Sequence, residues 1–305
     1  MKQIQLGQSP LKVSEISLGC MRISKMALAD IERLVKTAQE AGVNFFDHAD
    51  IYGGGKSEEQ FAAALQLTPA QREQIFLQTK CGIRDGYYDF SQEHILEAVD
   101  GSLKRLRTDY IDVLLLHRPD ALVEPEEVAA AFDRLESSGK VHYFGVSNQN
   151  PMQIKLLKKY VRQPLVANQL QLSLTNTGML DAGIHVNMQV DGSVDRDGSI
   201  LDYCRLHDIT IQPWSPFQYG FFEGVFLDNP KFPELNAQMQ TLAEKYGVTK
   251  IAIAIAWLLR HPAHMQPIVG TTNAQRVREL CQASDVTLTR PEWYALYLAA
   301  GNTLP

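Results

Sequence analysis

The chain has 305 residues, 45% hydrophobic and 21% charged, with a formal net charge of −6. This is the composition of a globular chain with a sizeable core, and its acidic balance gives no electrostatic reason to expect nucleic acid or an anionic membrane. The longest apolar run, Ile251 to Leu259, stops at Arg260, well short of the ~20 residues a bilayer span requires, so no membrane association is expected. Length alone allows two ordinary domains, but an α/β barrel uses ~250 residues or more as one unit.

The opening Met1 to Gly7 carries no apolar stretch of signal-peptide type, so a cytoplasmic location is expected. After a hairpin-like stretch through Gly7-Gln8-Ser9-Pro10, strand-like and helix-like segments alternate, the pattern of a parallel sheet built from βα units. Candidate strands end near Gly19, Asp47, Lys80, His117, Ser147, Gln169, Trp214 and Val269. Helical patterns run roughly over 28–41, 57–66, 92–106, 125–138, 151–160, 197–207, 235–261 and 274–283. Eight of each predict an α/β fold, a (β/α)8 TIM-type barrel with an N-terminal β-hairpin, as a single domain over 1–305. Within 92–106, Ile95, Val99, Leu103 and Leu106 form one stripe, as a helix on a barrel wall requires. Gly42, Gly139 and Gly247 follow helical patterns where a left-handed C-cap belongs.

Two segments break the alternation. Residues 173–198 are a long connection rich in Gly, Asn and Asp, and 217–226 combines glycines with four phenylalanines. Long loops at the C-terminal face of a barrel are expected to serve as lids or binding walls.

Polar residues close three of the apolar runs: Asp47 ends Val43 to Asp47, Lys80 ends Ile75 to Lys80, and His117 ends Ile111 to His117. Tyr52 follows in the turn after Asp47. C-terminal strand ends form the active face of a parallel barrel, so this placement points to chemistry. A phenol with a pKa of ~10 is a poor acid at neutral pH, and a nearby ammonium lowers that value. The expected roles are Tyr52 as general acid, Lys80 as its electrostatic tuner, Asp47 as the partner of Lys80, and His117 as a donor directing the substrate oxygen. Such a set protonates an oxygen as it gains negative charge, which is what carbonyl reduction needs.

The stretches Gly42 to Gly53, Leu103 to Asp112 and Gly139 to Asn148 closely resemble signature motifs of the aldo-keto reductases, in that family's order and spacing. The resemblance runs from the N-terminal hairpin to the helix after Arg276. It implies a (β/α)8 barrel that transfers hydride from NADPH to a small aldehyde or ketone, with the four residues above as its tetrad. It further implies that Ser147, Asn148 and Gln169 hold the nicotinamide carboxamide and that Trp214 stacks on the nicotinamide ring. Ser215 and the backbone after it would contact the pyrophosphate. The segment Gly270 to Glu279 matches the part that binds the adenosine 2′-phosphate, with Thr271 and Arg276 as candidate ligands. An arginine facing a phosphate offers charge-assisted hydrogen bonds, so NADPH is favoured over NADH. Gly270 stands where several relatives have lysine, and Asn273 or Arg278 is placed to compensate.

Other features carry less. Gly53-Gly54-Gly55-Lys56-Ser57 lacks the GxxxxGK[ST] spacing of a phosphate loop and reads as a turn leading into a helix. His261 and His264 have no third ligand, so no metal is expected. Cys20, Cys81, Cys204 and Cys281 show no CxxC pairing and are expected to be free thiols, with Cys81 notable only for adjoining Lys80.

The barrel by itself leaves open a phosphate-dependent isomerase or aldolase, although a Schiff base on Lys80 would not explain Tyr52, Trp214 and Arg276 together. It also leaves open a non-catalytic, nicotinamide-binding regulatory subunit of the channel-associated kind. Substrate walls are expected from Met21-Arg22, Tyr87-Tyr88, Arg118-Pro119-Asp120 and the two long loops. Arg22 and Arg118 would serve either a carboxylate or phosphate on the substrate or structural ion pairs. A monomer is expected from the family resemblance.

Overall fold

The computed structural model describes all of residues 1–305. Strands β1 (Gln3–Gln5) and β2 (Lys12–Ser14) form the expected antiparallel hairpin, pairing Gln3 with Ser14. Eight further strands follow: β3 (Ser17–Gly19), β4 (Phe45–Asp47), β5 (Phe76–Cys81), β6 (Ile111–Leu116), β7 (Val141–Ser147), β8 (Leu165–Gln171), β9 (Thr210–Trp214) and, after the small β10 (Gln218–Tyr219) and β11 (Gly224–Val225), β12 (Ile268–Val269). These eight are parallel, in the order β12-β3-β4-β5-β6-β7-β8-β9. The Gln266 N–H donates to the Ile211 carbonyl at 3.0 Å, which ties the segment leading into β12 to β9 and brings the sheet round to a nearly closed barrel. All six residues of β6 are buried, as expected of a parallel strand covered on both faces.

The hairpin closes the N-terminal end of the barrel. Leu6 and Val13 pack with Phe45, Val113, Leu115, Val166 and Ala167 in a small core of their own. Gly7, at φ 51°, makes this plug possible, because a Cβ there would lie 2.3 Å from the Val166 carbonyl oxygen.

The helices are α1 (Leu28–Glu40), α2 (Lys56–Leu65), α3 (Pro69–Arg72), α4 (Gln92–Leu106), α5 (Pro125–Ser137), α6 (Pro151–Lys158), α7 (Gly178–Ile184), α8 (Ile200–Leu206), α9 (Pro233–Tyr246), α10 (Lys250–Leu259), α11 (Ala274–Cys281) and α12 (Arg290–Ala299). In α4, Ile95, Val99 and Leu106 are buried and Leu103 is half-buried, so the stripe faces the sheet. Gly42, Gly139 and Gly247 all have positive φ, as C-terminal caps require.

The single helical pattern over 235–261 is in fact two helices. Gly247 ends α9 at φ 65°, and Thr249 caps α10 by accepting the Ala252 N–H. The connection 173–198 is not featureless: it holds α7 and a 3-10 turn at Asp191–Ser193, and the Asp195 carboxylate gathers the N–H groups of Asp197, Gly198 and Ser199. Residues 217–226 fold as the β10–β11 hairpin. Helix α12 has no counterpart among the predicted helices, although Thr289 and Glu292 carry its reciprocal capping box. No helix is long and apolar enough to cross a membrane.

Candidate active site

Asp47 is the last residue of β4, Lys80 the last but one of β5, and His117 the first residue beyond β6. Tyr52 returns to them through a tight turn in which its N–H donates to the Ala49 carbonyl, and Gly53, Gly54 and Gly55 all take positive φ. Lys80 has no exposed surface. Its ammonium donates to Asp47 Oδ2 at 2.8 Å, to the His48 carbonyl at 2.6 Å and to the Tyr52 hydroxyl at 3.1 Å. An ammonium has three hydrogens, so all of its donors are matched. The other Asp47 oxygen, Oδ1, accepts from Gln78 Nε2 at 2.6 Å and Gln169 Nε2 at 3.0 Å. The His117 ring stands edge-on to Tyr52, with centroids 5.9 Å apart, and its Nδ1 has no partner.

Burial works against the charged form of Lys80, but the Asp47 carboxylate and the Tyr52 oxygen outweigh it and hold the ammonium pKa above its ordinary value. For Tyr52 the balance differs from the expectation. Burial raises its pKa, Lys80 pulls it back, and the net position is above the ordinary phenol value rather than below it. Burial, Lys80 and Arg118 together push His117 well below the usual imidazole range, so the ring is neutral near pH 7. His48 is likewise neutral, lowered to about 3 by burial and Lys80, and packs edge-on against Phe61 at 4.7 Å. Burial pushes the Cys81 thiol well up, which argues against a reactive thiolate beside Lys80.

These groups open onto a cavity of about 770 Å³ at the C-terminal face. Its wall includes Asp47, Tyr52, His117, Ser147, Asn148, Gln169, Trp214, Ser215, Gly270, Thr271 and Arg276, with Lys80 directly behind. Glu279 is the exception. It lies further along α11, where its carboxylate accepts from Gln275 at 3.2 Å, and it is not part of the wall.

Several of the wall's polar groups already have partners. Ser147 Oγ donates to the Gln169 carbonyl and accepts from Asn148 Nδ2, while Asn148 Oδ1 accepts the Trp214 indole N–H at 3.1 Å. Phe222 stacks on Trp214 at 5.8 Å, so a nicotinamide ring taking that indole face requires Phe222 to move aside. Arg276 is exposed and makes no ion pair, and Thr271 Oγ1 and Asn273 shape the turn that begins α11. Neither Arg22 nor Arg118 forms an ion pair; the Arg118 guanidinium lies over the Trp214 ring at 5.6 Å.

Sequence reasoning missed Gln78, Gln212 and Gln266, buried behind the site, and the Asp228–Lys250 ion pair in the cavity wall. A signal existed for two of them: Gln78 and Gln212 stand two residues before Lys80 and Trp214, on the same strand faces as those residues.

The model described as "Aldo/keto reductase family" matches residues 15–297. Over 314 residues the chain is 34% identical to a 6-dehydroglucose reductase of Agrobacterium fabrum (strain C58), with 98% of each chain covered. Over 310 residues it is 31% identical to the oxidoreductase YdhF of Escherichia coli (strain K12), covering 98% of this chain and 97% of that one. The crystal structure of the thermostable aldo-keto reductase Tm1743 shares the fold, with a TM-score of 0.80 at 24% identity, covering 98% of this chain and 100% of that one. The chain therefore belongs to the aldo/keto reductase family, whose members use nicotinamide cofactors, and is an oxidoreductase.

Proposed function

We propose that the protein reduces an aldehyde or ketone to the alcohol, with NADPH as hydride donor and Tyr52 as proton donor. The observation that carries this reading is the three-way grip of Lys80 on Asp47, the His48 carbonyl and the Tyr52 hydroxyl, with the phenol facing the cavity. The wall also fits the cofactor. Gln169 presents an oxygen that has no partner in the protein, and Arg276 is an unpaired cation suited to a phosphate. Ser147, Asn148 and Gln169 would hold the carboxamide, Trp214 would face the ring, Ser215 would meet the pyrophosphate, and Gly270, Thr271 and Arg276 would meet the 2′-phosphate.

NADPH, held by these residues, would supply the hydride for the carbonyl carbon. The chain's own residues handle the oxygen. Neutral His117 donates a hydrogen bond that orients it, and Tyr52 delivers its proton as negative charge develops. Lys80 stabilises the phenolate left behind, and Asp47 keeps Lys80 charged and aimed. With its pKa raised by burial, Tyr52 stays protonated through neutral pH, which suits reduction; alcohol oxidation needs the phenolate and should grow faster as pH rises.

The name of the Agrobacterium relative makes 6-dehydroglucose the first substrate to try. Tyr52→Phe should cut carbonyl reduction about 10²–10⁴-fold, the usual scale of general acid catalysis, while NADPH binding followed by fluorescence persists. Arg276→Ala should weaken NADPH by roughly tenfold or more and leave NADH nearly unchanged, since a charge-assisted hydrogen bond contributes about 1.5–3 kcal/mol. Unchanged reduction by Tyr52→Phe would remove the acid assignment. Tight NADPH binding with no reduction of any carbonyl compound would instead favour a regulatory subunit.

A further inference from the structure

Four glutamines from four places in the barrel wall meet beneath the candidate site. Gln78 is on β5, Gln169 on β8, Gln212 on β9, and Gln266 precedes β12. Gln78, Gln212 and Gln266 have no exposed surface and Gln169 only 4%. Polar groups buried this deeply are costly unless every one is paired, and here the pairing is directional.

A carboxylate offers only lone pairs, so Gln78 and Gln169 both turn their NH2 groups to Asp47 Oδ1. The second hydrogen of each goes to Gln212 Oε1, at 2.9 Å from Gln78 and 3.3 Å from Gln169. Gln212 in turn donates to Gln78 Oε1 at 3.1 Å and to Gln266 Oε1 at 2.9 Å. Gln266 donates to the Ser14 carbonyl at 2.7 Å, near the base of the barrel. Turning over any one amide would set lone pair against lone pair or hydrogen against hydrogen. The polarity of the chain is therefore set at both ends, by Asp47 and by a backbone carbonyl.

Two consequences follow. Both N–H groups of Gln169 are used inside the barrel, so the only atom of its amide left for a ligand is Oε1, an acceptor. The same chain holds Asp47 in one orientation, with Oδ2 left for Lys80.

We propose that Gln78 and Gln212 are positioning residues of this reductase, joining Gln169 and the Asp47–Lys80–Tyr52 group into one hydrogen-bonded unit that makes Gln169 an acceptor-only reader of the nicotinamide NH2. This rests on the roles of Tyr52 and Gln169 assigned above. Gln212 is the residue to change, because it lies outside the cavity wall and reaches Asp47 only through the amides of Gln78 and Gln169.

The experiment compares wild type with Gln212→Met, a change of similar length that removes the amide and leaves no hydrogen-bond donor. Two quantities are measured. One is binding of NADPH against its 3-acetylpyridine analogue, in which methyl replaces the carboxamide NH2. The other is the pH profile of kcat for alcohol oxidation. Wild type should favour NADPH by roughly tenfold or more, the scale set by losing one hydrogen bond to a buried acceptor. In Gln212→Met the preference should fall several-fold, because Gln169 becomes free to turn an N–H toward the acetyl oxygen. The alkaline rise of the profile should also move up by about one pH unit, since a less constrained Asp47 loosens the grip of Lys80 on Tyr52.

A variant with wild-type selectivity and a wild-type profile overturns the proposal. So does a wild-type protein that binds both nucleotides equally. If Gln212→Met does not fold, Gln266→Met replaces it; shifts in the same direction but smaller are expected, and none at all overturns the proposal. Tyr52→Phe separates the two layers. Loss of reduction there beside an unaltered Gln212→Met sinks this inference alone, whereas full activity of Tyr52→Phe sinks the reading beneath it.

Discussion

Two buried ion pairs stand at opposite ends of the same sheet. At the C-terminal end Lys80 meets Asp47 at 2.8 Å, and at the N-terminal end Arg72 meets Asp112 at 2.7 Å. Both are almost wholly out of water, with side-chain exposures of 0% and 2% for the first pair and 8% and 6% for the second. Their remaining partners differ. Arg72 donates to Thr108 Oγ1 and to the Ile75 and Tyr110 carbonyls, and its guanidinium lies 4.0 Å from the centre of the Tyr110 ring. Asp112 also accepts the Leu77 N–H, so the pair locks α3 to the starts of β5 and β6 and faces no candidate substrate. Lys80 keeps one donor for a phenol at the cavity wall. Charge and burial alone do not mark a site; what marks it is the strand end and a third partner that a ligand can reach.

Removing each cation in turn separates the two ends of the sheet. Lys80→Met should have the largest effect, lowering carbonyl reduction by about 10²–10³-fold, as when a group supporting the developing charge is lost. It should also lower stability, because Asp47 is left buried without its cation. Arg72→Met should cost about 3–5 kcal/mol in denaturant unfolding, the usual result of breaking a buried pair from one side. Its kcat per folded molecule should stay at the wild-type level. If Arg72→Met lost activity while fully folded, the separation between the two ends would fail.

A third, peripheral pair sharpens the scale. Glu292 accepts from Lys245 at 2.5 Å and from the Tyr246 hydroxyl at 2.7 Å, joining α12 to α9. Burial works against its charge, but these partners and Thr289 win and lower its carboxyl pKa to about 2. A carboxyl whose pKa is lower in the folded state than in the unfolded one adds stability above the unfolded value, and that contribution disappears as pH falls through the folded value. Glu292→Gln should therefore lower the melting temperature slightly at pH 7, with the gap to wild type closing between about pH 4.5 and pH 2. A gap that stayed constant over that range would mean that the carboxylate charge is not what joins α12 to α9.

Much of the barrel is legible locally. The ends of β3, β4, β7, β9 and β12 fall on the residues read as strand ends, since apolar runs punctuated by Gly, Asn and Asp are short-range signals. The pattern over 235–261 was read as one helix although Gly247 inside it was itself read as a left-handed C-cap; α9 ends at that glycine and Thr249 caps α10. Glu279 was grouped with Arg276 by neighbourhood in the chain, yet α11 meets the cavity through Arg276 and Leu280, four residues apart on one helix face, and Glu279 is not in that wall.

The identity of Asp47, Tyr52, Lys80 and His117 as a candidate set was determined by the sequence, because each stands at or just beyond a strand end and strand ends can be read from apolar runs a few residues long. The amide chain through Gln78, Gln169, Gln212 and Gln266 was decided only in three dimensions. Its members come from sequence positions up to 188 residues apart, 78 to 266, and meet because strands from distant parts of the chain share one interior. The balance at Tyr52 belongs there too. Lys80 lowers its pKa and burial raises it, and burial is a property of the packed barrel that no stretch of residues carries alone.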